Sequence, residues 1–128
     1  YTLNVGYENT MEAATLHALG EEYFAEGKYK EAADAFEQAG LINKFELPYR
    51  ENAANAYIRL GNKTKALEIL NQLIFEDKTN SPRTYWLRGL ILYDDGNIVE
   101  GCKDLNKVEQ SGWIDNPGLF QQLCGSVE

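Results

Sequence analysis

A chain of 128 residues, 44% hydrophobic and 25% charged, suits one globular domain with a core of its own. Its net charge of −8 argues against nucleic acid as the main partner, because such binders need a basic stripe to neutralise phosphates. No apolar run approaches the ~18 residues that span a bilayer. The longest, Leu90-Ile91-Leu92-Tyr93, runs straight into Asp94 and Asp95, so membrane insertion is not expected.

In chain order, residues 1–9 carry no helical pattern, and Tyr1, Val5, Gly6 and Tyr7 read as an extended or irregular segment. Such a segment would lie along a groove, its own or a neighbour's, as a peptide does. Asn9, with Glu12 three residues on, reads as the cap of an opening helix. Apolar residues at helical spacing predict helices near 10–26, 29–41, 47–60, 63–76, 82–95, 98–110 and 117–124. Gly27, Gly61 and Gly96 each stand where a helix should stop. Asn62 and Asn97 follow as caps of the next helices, and Asn97 with Glu100 forms a capping-box pattern. Ser81-Pro82 and Asn116-Pro117 mark further helix starts. Asn62-Lys63-Thr64 also matches a glycosylation sequon, but a cap explains Asn62 better.

These helices form a repeat. Leu16, Leu19-Gly20, Tyr23, Gly27, Ala32, Phe36 and Ala39 recur after a step of 34 as Arg50, Ala53-Ala54, Tyr57, Gly61, Ala66, Leu70 and Leu73. A further step of 35 gives Tyr85, Arg88-Gly89, Leu92, Gly96, Gly101, Leu105 and Val108. A last step of 35 reaches Phe120 and Leu123-Cys124. Small residues recur where two helices must approach closely, and large ones where space must be filled. A single helix pair cannot bury its apolar face, so the pairs must stack. The units fall at about 13–46, 47–80 and 82–115, with a capping helix at 117–124, giving a repeat domain over 10–128.

The pattern resembles the tetratricopeptide repeat family, whose signature is W-x2-L-G-x2-Y followed by A-x3-F at a 34-residue period. The first unit matches it with Leu16, Leu19-Gly20, Tyr23, Ala32 and Phe36, leucine standing for the opening tryptophan. The second keeps Tyr57 and Ala66, and the third keeps Gly89. The resemblance implies an all-α, right-handed superhelical solenoid of antiparallel helix pairs. It implies a concave face lined by the first helix of each pair, where members of the family bind peptides or partner proteins.

On that face the spacing i, i+4, i+7 groups three sets: His17, Glu21 and Phe24; Glu51, Asn55 and Ile58; Trp86, Leu90 and Tyr93. The last set adds a second apolar stripe to a helix that already has one. It either anchors a ligand side chain or is covered by the tail or by another copy. Glu21, Glu51 and Asn55 would select a ligand with basic as well as apolar residues. The family's co-chaperone members grip a C-terminal carboxylate with a clamp of basic and amide residues. Asn52 and Arg83 stand at two of those places. His17, Glu21 and Leu87 stand where a lysine, an asparagine and an arginine would be expected. An acid in place of an amide repels a carboxylate, so acidic chaperone tails are not the expected ligand.

The charge distribution agrees. Residues 1–46 hold nine acids and three bases, against eleven acids and nine bases in 47–128. A solvated acidic face is the plain reading, and long-range attraction of basic ligands is its functional counterpart.

An enzyme is the competing class and is not expected. His17 is the sole histidine and has no nucleophile paired with it in any recognisable motif. No phosphate loop, H-E-x-x-H or G-x-S-x-G occurs. The two cysteines, Cys102 and Cys124, form no C-x-x-C or Cys/His cluster, so neither a metal site nor a cofactor is expected. Cys124 falls in a small-residue slot, which favours a buried, inert thiol over a disulfide or a reactive group. A start at Tyr1 suggests a processed protein or a piece of a longer one, and the compartment is not legible. The resulting expectation is a protein-binding scaffold or adaptor module. The alternative is a self-associating spacer, a homodimer, built on a loosely covered last helix pair.

Overall fold

The computed structural model describes residues 2–113 and 117–125, with side chains described for 9–113 and 118–125. The described residues form helices and connecting turns with no strand. The elements are α1 (Thr2–Ala25), α2 (Tyr29–Ile42), α3 (Leu47–Leu60), α4 (Lys63–Asn71), α5 (Pro82–Asp94), α6 (Ile98–Ser111) and α7 (Pro117–Cys124). Between α4 and α5, helical geometry continues in π form over Gln72–Glu76. Two compact units divide the chain, Tyr1–Ile69 and Leu70–Glu128. In the first, α2 packs between α1 and α3; in the second, α6 packs between α5 and α7.

The punctuating glycines act as the repeat predicts. Gly27, Gly61 and Gly96 have φ of 79°, 88° and 90°. The residues after them, Lys28, Asn62 and Asn97, donate their backbone N–H to the carbonyls of Tyr23, Tyr57 and Leu92, each at 2.9 Å. Those three acceptors occupy one repeat position, so the same helix stop is built three times. Asn62 then caps α4, its Oδ1 accepting from the Lys65 N–H at 3.1 Å.

Two cap expectations need correction. The extended segment over 1–9 is not observed: α1 begins at Thr2 and runs through Asn9, so Asn9 and Glu12 cap nothing. Once a helix is nucleated, each added turn gains hydrogen bonds at little further cost, and one glycine at position 6 costs only about 1 kcal/mol. Asn97 starts α6 without a side-chain capping bond, and Glu100 instead meets Lys103 at 3.1 Å. The start expected at Ser81-Pro82 is observed, with Ser81 before α5 and Pro82 in its first turn. The start expected at Asn116-Pro117 is likewise observed, since α7 begins at Pro117, while Asn116 lies outside the described residues.

The small slots let helices touch. A methyl at Gly20 would sit 2.6 Å from the Phe36 ring, which itself is 2% exposed. A methyl at Gly101 would sit 2.8 Å from the Tyr93 backbone nitrogen and 2.9 Å from the Gly89 carbonyl oxygen. There α5 and α6 meet backbone to backbone. Ala32, Ala54 and Ala66 are fully buried in the equivalent slots. In the first unit the Tyr57 hydroxyl also donates to the Glu37 carboxylate. Burial, that bond and the nearby carboxylates hold the Tyr57 phenol well above its ordinary range.

Candidate functional site

In the first unit, α1 turns His17, Glu21 and Phe24 to one side, and the close Gly20–Phe36 contact fixes the helix that carries them. The His17 ring lies 5.4 Å from Phe36 and 4.8 Å from Tyr49, centroid to centroid. Asn52 on α3 donates its Nδ2–H to His17 Nε2 at 2.8 Å. Asn52 Nδ2 can only donate, so this bond requires a bare Nε2 on the ring. Nδ1 faces Glu21 Oε1 at 3.5 Å. His17 is 21% exposed and Glu21 62%, so the carboxylate stands in solvent at the mouth of this arrangement. Phe24 packs edge-on against Tyr29 at 5.1 Å, and the Arg59 guanidinium covers both rings at 5.5 and 5.9 Å.

On α3, Asn55 and Ile58 are half-buried. Glu51 is not on an open face: it is 3% exposed and has a partner. Its register repeats that of His17, but repeat register reports position along a helix and not what packs above it.

In the second unit, Trp86, Leu90 and Tyr93 are only half-exposed. They pack with Phe120 and Leu123 of α7 around a cluster of Cys102, Leu105 and Cys124. The Tyr93 hydroxyl donates to the Leu123 carbonyl at 3.1 Å. The tail thus covers part of this stripe and leaves part of it exposed. The inert thiol expected at Cys124 is also corrected, since Cys102 and Cys124 form a disulfide that ties α7 to α6. A step of 35 had aligned Cys124 with the small slots of the earlier units, but alignment could not show which second sulfur lies opposite. At the remaining clamp places, Leu87 is 7% exposed and Arg83 is half-buried with a partner.

The sequence reading missed the polar centre of the second unit. Arg88 grips Asp104 with both ends of its fork, Nε at 2.7 Å and Nη2 at 2.8 Å, while Nη1 donates to Asn71 at 3.0 Å. The guanidinium also lies 5.4 Å from the Phe75 ring and 5.8 Å from the Tyr85 ring. The bond to Asp104 holds Arg88 above its ordinary pKa against the opposing effect of burial. An acid 16 residues after an arginine is no recognisable signal. Among the described residues no group of three or more His, Cys, Asp or Glu is arranged to hold a metal ion, and no helix is long and apolar enough to cross a membrane.

Helix pairs built on one repeated glycine stop and one set of small slots define an all-α repeat protein. The chain belongs to the tetratricopeptide repeat family, which it matches over residues 23–88. It is similar to an Hsp70-Hsp90 organising protein of Plasmodium falciparum, with 27% identity over 139 aligned positions covering 94% of this chain and 54% of that protein. A second, from isolate 3D7, shows the same identity and covers 24% of its own length. The chain thus spans about half of one relative and about a quarter of the other. Among solved structures it resembles the first TPR of Spaghetti (RPAP3) bound to the HSP90 peptide SRMEEVD, with a TM-score of 0.77 and 23% identity over 91% of this chain and 96% of that one. The first TPR domain of human RPAP3, solved by NMR, gives a TM-score of 0.76, also at 23% identity, over 91% of this chain and 95% of that one.

Proposed function

We propose that the chain is a non-catalytic adaptor module that binds a peptide segment of a partner protein on the first-helix face of its first unit. Tetratricopeptide repeats are protein-interaction modules, and one similar structure holds a chaperone peptide. The observation that carries the proposal is the open side of α1 and α3. His17, Glu21, Phe24, Asn55 and Ile58 all keep some exposure there, on helices locked by a close-packed contact. Such a face loses little ordering entropy on binding. Phe24 and Ile58 supply apolar contact, and Glu21 and Asn55 supply polar selection. Trp86, Leu90 and Tyr93 serve mainly to seat α7, and Glu51 serves the interior.

Glu21 decides the ligand's charge in this reading. An exposed carboxylate favours a lysine or arginine and disfavours an acidic tail. Fluorescence anisotropy with labelled SRMEEVD, and with a C-terminally amidated SRMKKVK, tests it. Tighter binding of the lysine peptide, by roughly fivefold at low salt, is expected, with Glu21→Gln narrowing the gap. A preference for SRMEEVD would reverse the charge assignment, and binding of neither would end the peptide reading for this face. The competing reading, a spacer that self-associates through a poorly covered last pair, is weakened by the covalent attachment of α7 to α6.

A further inference from the structure

The bond between Asn52 Nδ2 and His17 Nε2, with Glu21 lying 3.5 Å from the other ring nitrogen, holds as it stands only while the imidazole is neutral. We propose that His17 gates the first unit's face by pH, so that the neutral ring leaves Glu21 to hold a lysine or arginine of a bound peptide and the protonated ring releases it. The gate rests on the peptide-binding reading above and adds a regulation to it.

Three consequences of protonation act in the same direction. Nε2 gains a hydrogen that points at the Asn52 Nδ2 donor, 2.8 Å away, so that bond must break or the amide must turn over. The ring becomes a cation with Nδ1 3.5 Å from Glu21, and so competes for the carboxylate that a basic ligand would use. The His17–Glu21 pair passes from a net charge of −1 to zero, which removes the attraction for a cation.

The groups around the ring leave His17 as the switch. Its own helix contributes Glu21. Helix α2 contributes the Phe36 ring, which does not titrate. Helix α3 contributes Asn52 and the ring of Tyr49. Of the charged residues beside these on α3, Arg50 runs its stem along Gly40 and Glu51 is buried with its own partner. Histidine is the side chain whose charge ordinarily changes between about pH 5 and 8. The chain has a single histidine, and both of its cysteines are tied in the disulfide.

Two measurements decide the proposal. Long-range 1H–15N spectra of the labelled chain report the imidazole nitrogens of the one histidine. At pH 8 they should show a protonated Nδ1 and a bare Nε2, and the Asn52 side-chain amide signals should move with the ring as the pH falls. An Nε2–H tautomer, or Asn52 signals indifferent to the ring, would overturn the gate whatever the peptide does. Anisotropy with the amidated SRMKKVK probe at pH 8 and 5.5 supplies the functional arm. Wild-type affinity should fall roughly fivefold, the scale of one exposed ion pair. His17→Gln can still accept from Asn52 but does not titrate, so the ratio of its affinities at the two pH values should fall to about one, whatever its absolute affinity. Tight, pH-independent binding by the wild type overturns the gate and leaves the peptide reading standing. Absence of binding at both pH values overturns that reading, and the gate with it as a ligand switch.

Discussion

At the scale of single residues, the interior of this protein is more polar than its hydrophobic pattern implies. Arg88 and Asp104 are 15% and 4% exposed, and they join α5 to α6 through two short, charge-assisted bonds. Removing one partner strands the other charge in a dry environment. Asp104→Ala is therefore expected to cost about 3–5 kcal/mol in urea unfolding, while the paired change Arg88→Met with Asp104→Leu costs much less. A loss below about 1 kcal/mol for the single variant would mean that water reaches the guanidinium and the pair contributes as a surface one does. The pair was illegible in the sequence because it depends on which faces of α5 and α6 meet. The His17–Asn52 bond was half legible: both residues drew attention as groove positions, but nothing in their spacing of 35 says that they touch.

At the scale of elements, the repeat places most helices to within a residue or two, α1 excepted, which begins at Thr2 and not near residue 10. The expected 29–41, 47–60 and 98–110 are observed as Tyr29–Ile42, Leu47–Leu60 and Ile98–Ser111. The step between the second and third units is 35 where the first step is 34, and the extra residue falls between Leu73 and Tyr85. Across Gln72–Glu76 the helix takes π geometry. The glycines divide into two kinds that substitution separates. Gly96→Ala places a side chain in open space but in a left-handed conformation, at a cost of about 1–2 kcal/mol. Gly101→Ala drives a methyl into the backbone of α5 and should cost roughly 3 kcal/mol by forcing the helices apart. Thermal unfolding would compare them. Gly96→Asn should recover most of its loss because asparagine tolerates that conformation, whereas equal losses for the two alanine variants would refute the close approach of α5 and α6.

At the scale of the whole molecule, the terminal helix is the element whose stability is least its own. Eight residues are too few to stay helical in isolation, so α7 persists through its contacts with α5 and α6 and through the bond from Cys124 to Cys102. The bond closes a loop with a sequence separation of 22, which constrains the unfolded chain by on the order of 3 kcal/mol. Both half-cystines are at most 5% exposed, so a small thiol reaches them only after α7 lifts away. Replacing both cysteines by serine is expected to lower the unfolding free energy of the second unit by about that amount. It should also abolish hydrogen-exchange protection in α7 while leaving α1 to α3 protected. Full protection of α7 in the serine variant would show that Phe120 and Leu123 hold it without the bond.

What the sequence alone determined is whatever repeats. The glycine stops, the alternation of small and large slots, the helix bounds and the family all follow from periodicity, because each unit obeys the same local rules of helix termination and close packing. What only the tertiary structure decided is whatever happens once. The pairing of the two cysteines, the contact of α7 with Trp86, Leu90 and Tyr93, the burial of Glu51, the Arg88–Asp104 bridge and the Asn52–His17 bond each depend on residues far apart in number. Periodicity places a side chain on a face of its own helix. Which partner that face meets is set by how the helices approach one another.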